Sequence, residues 1–347
     1  MALASMFSSF KTQEYVMGTL KVRYGYFYML LLATPLVIYA AHRGYIGDTM
    51  VYMFQYEALP VDLENFLKFL EPLKDKGYVV FTWICKQFIG DNRPAILTII
   101  ATFQLIPLVL VYRRYSESLF ISIFLFVLST DYLSWMMNGL RQFFAAVIIF
   151  CCVPLILKKK YISVILVIVF ASTFHATALL MIPFVFLAQG PAFNKKSVAI
   201  LFACILLIGI ADQFTGFLDV LLRDTQYNNS VSAWTEAGDD GTSFFRVATY
   251  TVPVLIAFIQ RKVIKQIDNP LINLCINMSL VGVGFYILSM FTSGIFIGRL
   301  PIYFTLYNYI LLPWEIKYLF SRGSDSIVKI CMFSSYFVFC IIQLGIL

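Results

Sequence analysis

The sequence predicts an all-α integral membrane protein, a polytopic bundle of about eleven transmembrane helices, and three observations carry that expectation. Hydrophobic residues make up 60% of the 347 and charged residues only 13%, with a mean hydropathy of +0.82, far outside the range of soluble domains. The apolar residues gather into long stretches separated by polar turns. Basic residues collect at alternate turns, as membrane orientation requires.

The stretches run at about 24–42, 94–112, 118–136, 139–157, 161–174, 176–190, 197–212, 244–260, 271–293, 300–316 and 327–346. A full crossing needs roughly 20 residues, so 161–174 and 176–190 are short and are expected to be tilted, kinked or partly crossing. The first stretch follows Lys11, Lys21 and Arg23 and is long enough to anchor, so insertion begins there without a cleavable signal. With the N-terminus inside, the inner turns collect Arg113, Arg114, Lys158 to Lys160, Lys195, Lys196, Arg261, Lys262, Lys265, Lys317, Arg322 and Lys329. Together with the N-terminal cations these are 16 of the 26 basic residues, while 14 of the 19 acidic residues fall outside. The net charge of +7 therefore reports topology and not a nucleic-acid partner. Seven cysteines, mostly inside apolar runs, have neither disulfide-framework nor zinc spacing. The whole chain, 1–347, reads as one transmembrane domain.

Two outer segments are too long to be turns, 43–93 and 213–243, and long loops carry function. The first contains an aromatic, largely apolar segment at 78–89, too short to span, which predicts an interfacial helix. The second places Tyr227 and Trp234 beside Gln226, Asn228, Asn229, Asp239 and Asp240, aromatic faces and polar groups able to stack on and hydrogen-bond sugar rings.

Each apolar segment that re-enters from the outer face opens with a basic residue: Arg93, Arg141, His175, Arg246 and Arg299. A helix start already carries partial positive charge, so a cation there is unfavourable unless an anion is bound where backbone N–H groups and side chain converge. A charged side chain within a span costs roughly 2.5–3.5 kcal/mol on the lenient insertion scale. Snorkelling to the interface is the plain alternative for each arginine taken alone. The sorting of types argues against it as a general account: arginine, the bidentate phosphate ligand, occupies outer helix ends, whereas the lysine clusters stay on inner turns. The pattern predicts an anionic lipid headgroup held at the outer face.

His175, in Ser172-Thr173-Phe174-His175-Ala176, is one of two histidines and a candidate proton carrier, with a hydrogen-bonded structural role as the alternative and no second ligand to suggest a metal. Asp48 and Asp75 are outer carboxylates able to orient a sugar hydroxyl or act as base, although turn chemistry also accounts for Asp48.

In order along the chain stand Arg43-Gly44-Tyr45-Ile46-Gly47-Asp48-Thr49 with Tyr52, then Lys74-Asp75-Lys76-Gly77-Tyr78, Asn138-Gly139-Leu140-Arg141-Gln142 and Phe174-His175-Ala176-Thr177-Ala178. Phe245-Arg246 with Pro253, and Arg299-Leu300 with Tyr303 and Phe304, follow. With these elements the sequence resembles the EpsG and Wzy-like polymerases of bacterial surface polysaccharides. It departs from that pattern at Lys76, where proline is frequent, and in the spacing from Arg43 to Gly47-Asp48-Thr49.

The resemblance implies a GT-C-like, all-helical bundle with an outer-facing cavity in the bacterial inner membrane. The implied enzyme is a glycosyltransferase-type polymerase that joins repeat units carried on undecaprenyl pyrophosphate. It needs no cofactor and no metal, because guanidinium groups and helix N-termini stabilise the leaving diphosphate. His175 is the first candidate base and Asp48 the second. Arg141, Arg246 and Arg299 would hold pyrophosphate, Arg43 would organise the first outer loop, and Asn138, Gln142, Asp75, Tyr227 and Trp234 would contact substrate. Expected partners are the lipid-linked oligosaccharide, membrane lipid and a chain-length regulator, with no nucleic acid. The rival readings are a flippase for the same lipid-linked sugar, a membrane O-acyltransferase using His175, and a polysaccharide ligase. The absence of a duplicated half speaks against the flippase.

Overall fold

A computed structural model of the chain describes residues 11–16, 18–44, 46–210, 241–294, 296–321 and 323–345. All eleven apolar stretches fall on helix. With no water in the hydrocarbon to satisfy an open backbone, a helix, which closes its N–H and C=O groups internally, is the economical way across. The chain is a multi-pass, helical membrane protein. Among the described residues, four helices are long and apolar enough to cross a membrane: Arg93–Tyr115, Leu140–Leu157, Pro270–Met290 and Ser326–Gln343. The number rises to six if each of two sharply bent pairs is one crossing. Tyr26–Ala41, Tyr161–Ser172 and Ala176–Leu187 are shorter apolar helices.

The chain divides into two compact units, Met1–Leu179 and Leu180–Leu347. The first opens on an antiparallel hairpin, β1 (Lys11–Val16) and β2 (Thr19–Tyr24), in register Lys11 to Tyr24. Sequence reading took this stretch only as a basic flank. The spans of this unit are α1 (Tyr26–Ala41), α5 (Arg93–Tyr115), α6 (Leu119–Leu128), α7 (Leu140–Phe150) with α8 (Val153–Leu157), and α9 (Tyr161–Ser172). Between α1 and α5 lie three short helices, α2 (Thr49–Glu57), α3 (Leu63–Leu70) and α4 (Lys76–Ile89). Helix α5 packs on both α1 and α7, and α7 on α9.

Local chemistry sets the helix starts. The Asn92 side chain accepts from the Ala95 N–H at 3.1 Å, with Pro94 in the first turn of α5, where its missing N–H costs nothing. Ser118 caps α6 by the same device. Helix α6 then breaks at Thr130, whose φ of 66° is unusual for a β-branched residue, and the chain turns by 79° into a π-helical segment, Tyr132–Asn138. That bend delivers Asn138 and Gly139 to the start of α7.

In the second unit, α10 (Met181–Leu187), α11 (Lys195–Ile208), α12 (Phe244–Ile259), α13 (Arg261–Ile267), α15 (Ile302–Thr305), α16 (Asn308–Tyr318) and α17 (Asp325–Gln343) accompany α14 (Pro270–Met290). Helix α14 is almost wholly buried, against α11, α12, α15 and α16. A polar side chain there must find partners. Asn277 does so: its amide donates to the Ala188 and Pro191 carbonyls at 2.9 Å, and its oxygen accepts from the Asn194 N–H. Asn194 in turn caps α11 through the Ser197 N–H.

The N-terminal hairpin is held to the turn after α5 by charge. Arg113 donates to Glu14 and to the Tyr24 carbonyl, with its guanidinium 4.0 Å from the Tyr26 ring centroid. Lys21 pairs with Glu117 at 2.7 Å, and Arg23 donates to the Ser116 carbonyl. The hydrogen bond from Arg113 holds the Glu14 carboxyl below its ordinary value of 4.5. A depressed carboxyl stabilises the folded state above its unfolded pKa and loses that contribution as pH falls through the folded one. Glu14→Gln is therefore expected to weaken hairpin docking by roughly 0.5 kcal/mol at pH 7, the screened value for a surface pair. Hydrogen exchange of the hairpin amides checks this, and the difference from wild type should vanish once the medium is acidified below the folded pKa of Glu14.

Candidate functional site

Of the arginines singled out in the sequence, Arg93, Arg141 and Arg246 stand at helix starts, whereas Arg299 closes a 3-10 turn. Arg93 is the first residue of α5, Arg141 the second of α7 and Arg246 the third of α12, while Arg299 ends the 3-10 turn Ile297–Arg299 before α15. None of α5, α7 or α12 carries an acidic residue in its first turn. The dipole charge there is left for something else to balance.

Four of the sequence motifs meet in the first unit. The loop after α1 docks on the π-helical bend: the Asp48 N–H donates to Asn138 Oδ1 at 2.8 Å. Gly47, at φ 52°, lies so close that a Cβ would stand 2.2 Å from that same oxygen, so no side chain fits. One residue further on, Thr49 accepts from Arg43 Nε at 3.1 Å, and its hydroxyl donates to the Ile46 carbonyl. Asp48 is half-buried and occupies the N-cap position of α2 without a side-chain capping bond.

The start of α4 docks on the end of α9 in the same manner. The Gly77 N–H donates to the Thr173 carbonyl at 2.8 Å, and a Cβ at Gly77 would lie 2.1 Å from Thr173 Oγ1. This contact carries Asp75, at the N-cap position of α4, into the protein. Its carboxylate accepts from Arg141 Nη1 at 3.0 Å, and the Ala176 N–H is directed at it as well. Burial raises the Asp75 carboxyl above its ordinary value, against the opposing pull of Arg141. Arg141 is a quarter exposed, stands 5.5 Å from the Tyr52 ring centroid and donates to the Tyr52 hydroxyl.

Arg43 is 8% exposed, and its Nη2 has no hydrogen-bond partner. It faces Tyr78, Tyr132 and Tyr52, and burial lowers its pKa. The rings of Tyr52 and Tyr78 lie edge to face at 6.2 Å. Tyr78 feels both guanidinium groups, which ties Arg43 and Arg141 to one tyrosine pair.

His175 is placed by its neighbour. Phe174 stacks on Phe144 at 4.8 Å and meets Phe81 and Phe170, an aromatic core that fixes the turn between α9 and the 3-10 segment Ala176–Leu180. His175 is buried, with Nδ1 2.7 Å from Thr177 Oγ1, and Thr177 accepts from Gln142 Nε2 at 3.4 Å.

The first unit thus brings together Arg43, Asp48, Asp75, Asn138, Arg141, Gln142 and His175. Arg246 lies in the second unit and donates to Gln343 Oε1 from Nε at 3.4 Å and Nη2 at 3.1 Å. Arg299 is half-buried in that unit. Tyr227 and Trp234 lie outside the described residues, with most of the 213–243 loop. Sequence reading left Tyr52, Tyr78, Thr173 and Thr177 out of the candidate site. Their only signal was position, inside or one turn from the motifs, and an isolated tyrosine or threonine carries no pattern of its own.

The helices and this cluster define a multi-pass membrane protein with a buried arginine–carboxylate site at its helix starts. The family model described as "EpsG family" matches residues 26–345, nearly the whole chain, and the protein belongs to that family. Comparison with curated proteins and with solved structures gives no match.

Close approach at Gly77 leaves no room for a methyl group, because Thr173 presents backbone as well as side chain there. Gly77→Ala should destabilise the first unit by about 1–3 kcal/mol, seen as a lower midpoint of thermal unfolding in detergent. Thr173→Ala alone should cost less, since it keeps the carbonyl that receives the Gly77 N–H.

Proposed function

We propose that this protein is a polysaccharide polymerase of the Wzy-like kind, joining oligosaccharide repeat units carried on undecaprenyl pyrophosphate at the outer face of the bacterial inner membrane. Membership of the EpsG family supports an enzyme of polysaccharide synthesis in a membrane. The observation that carries the finer reading is the pairing of Arg141 with a buried carboxylate one shell away from His175, through Gln142 and Thr177. Such a site has a guanidinium for an anion and an imidazole for a hydroxyl proton, the two things the reaction needs.

In this reading the eleven helical stretches cross in a GT-C-like bundle with the N-terminus inside, and α4 lies in the outer interface. Arg141 holds the diphosphate of the donor, Arg43 organises the first outer loop, and Asn138, Gln142 and Asp75 contact the sugars. His175, with Asp48 as second candidate, takes the proton of the acceptor hydroxyl as its oxygen attacks the anomeric carbon. The bond from that carbon to the diphosphate oxygen breaks, and the lipid diphosphate leaves with the electron pair. Guanidinium groups and helix N-termini stabilise that charge, so the chemistry requires no metal or cofactor. A chain-length regulator is the protein partner this activity implies.

Purified protein supplied with a lipid-linked repeat unit should give a ladder of products. Arg141→Lys, which keeps charge but loses the planar fork, should lower the rate at least about tenfold. His175→Ala should lower it by about 10² or more, the contribution of general base catalysis. Full activity in His175→Ala would reassign the base. Sealed vesicles in which the lipid-linked sugar crosses the bilayer without growing would replace the polymerase by a flippase.

A further inference from the structure

The first unit buries two guanidinium groups around one tyrosine pair, and only one of them has a carboxylate. Arg141 is paired with Asp75, whereas Arg43 makes no ion pair among the described residues, and its buried Nη2 is left without a partner. Thr49 satisfies Nε alone. Tyrosine faces offset part of the desolvation of a cation, but they supply no acceptor for an N–H that points into the protein. A second anion would complete this pocket. Asp75 meets Arg141 through Oδ2, and its buried Oδ1 has no hydrogen-bond partner.

We propose that Asp75 is an internal stand-in for the substrate diphosphate: it occupies Arg141 in the free protein, and the incoming diphosphate displaces it and bridges Arg141 and Arg43 across Tyr52 and Tyr78. This rests on the reading of the site as one that takes a lipid diphosphate. The displaced carboxylate, held at the start of α4 by the Gly77–Thr173 contact, becomes an acceptor for a sugar hydroxyl. Arg141, a quarter exposed, is the reachable end of the pocket, and Arg43 the buried end. The exchange couples the two substrate parts. Sugar contact through Asp75 becomes available only when the diphosphate is in place, and the buried Arg43 gains an anion in the same step. Arg43 is then a diphosphate ligand as well as the residue that orders its loop.

The test measures binding and elongation separately on the full chain in detergent or nanodiscs. Undecaprenyl pyrophosphate is one probe and inorganic pyrophosphate the other, so that the diphosphate alone is distinguished from the lipid carrying it. Asp75→Asn removes the competing charge and should tighten binding of both probes about tenfold while elongation of a lipid-linked repeat unit falls. Asp75→Glu should retain wild-type affinity. Arg43→Gln leaves both partners of the Asp75–Arg141 pair in place and should weaken diphosphate binding about tenfold or more, whereas Thr49→Val, which removes only the bond that orders the loop, should bind diphosphate as wild type does. Equal or weaker binding by Asp75→Asn would make the ion pair a structural clamp and overturn the exchange, and wild-type binding by Arg43→Gln would overturn it independently of whether Asp75→Asn folds. Neither arm requires a ladder, so an exchange without elongation would reject the polymerase reading alone.

Discussion

The pair formed by Arg141 and Asp75 joins two pieces of chain far apart in sequence. One partner sits at the start of a crossing helix and the other at the start of a short helix between crossings. Taking either charge out of water alone costs several kcal/mol, and losing one member leaves the other stranded. The two docking contacts, Gly47 on Asn138 and Gly77 on Thr173, bring backbone close enough for that pair to form. The short helix α4 is thereby fixed to the bundle by an ion pair in addition to the aromatic contacts of Phe81.

Precision in this region comes from features that are poor helix in the ordinary sense. The chain bends sharply at Thr130, runs through a π-helical segment, and restarts at Gly139 with Arg141 and Gln142 in the first turn. On the other side, Phe174 is locked among Phe81, Phe144 and Phe170, so the turn that carries His175 has little freedom. Rigid aromatic packing under a polar turn holds the His175 side chain at a fixed height. Gln142 and Thr177 then link the imidazole to the arginine-bearing helix.

The turn after α5 uses charge differently. Arg113 is buried there and acts as a clasp, holding the N-terminal hairpin through Glu14, the Tyr24 carbonyl and the Tyr26 ring. Arginine meets a carboxylate at both places, Asp75 at the start of α7 and Glu14 here. Geometry of the donors, not net charge, makes arginine fit both places.

Composition and the spacing of apolar stretches determined the class of fold, because a bilayer rewards closed backbone and penalises charge whatever the detailed packing. The same logic made the basic residues at helix starts legible: an arginine at such a place needs a reason whether or not its neighbours are known. The hairpin before Tyr26 carried a signal in its second strand, where Leu20, Val22 and Tyr24 alternate with Thr19, Lys21 and Arg23, but Lys21 and Arg23 read as the basic flank of a span. Nor did the sequence say which cation would meet which carboxylate. Asp75 lies 66 positions from Arg141, and only the folded chain, through two glycines without a Cβ in the way, brings them within hydrogen-bond reach. Local pattern fixes what each segment becomes in a membrane, and long-range contact decides which charges must share the same small volume from which water is excluded.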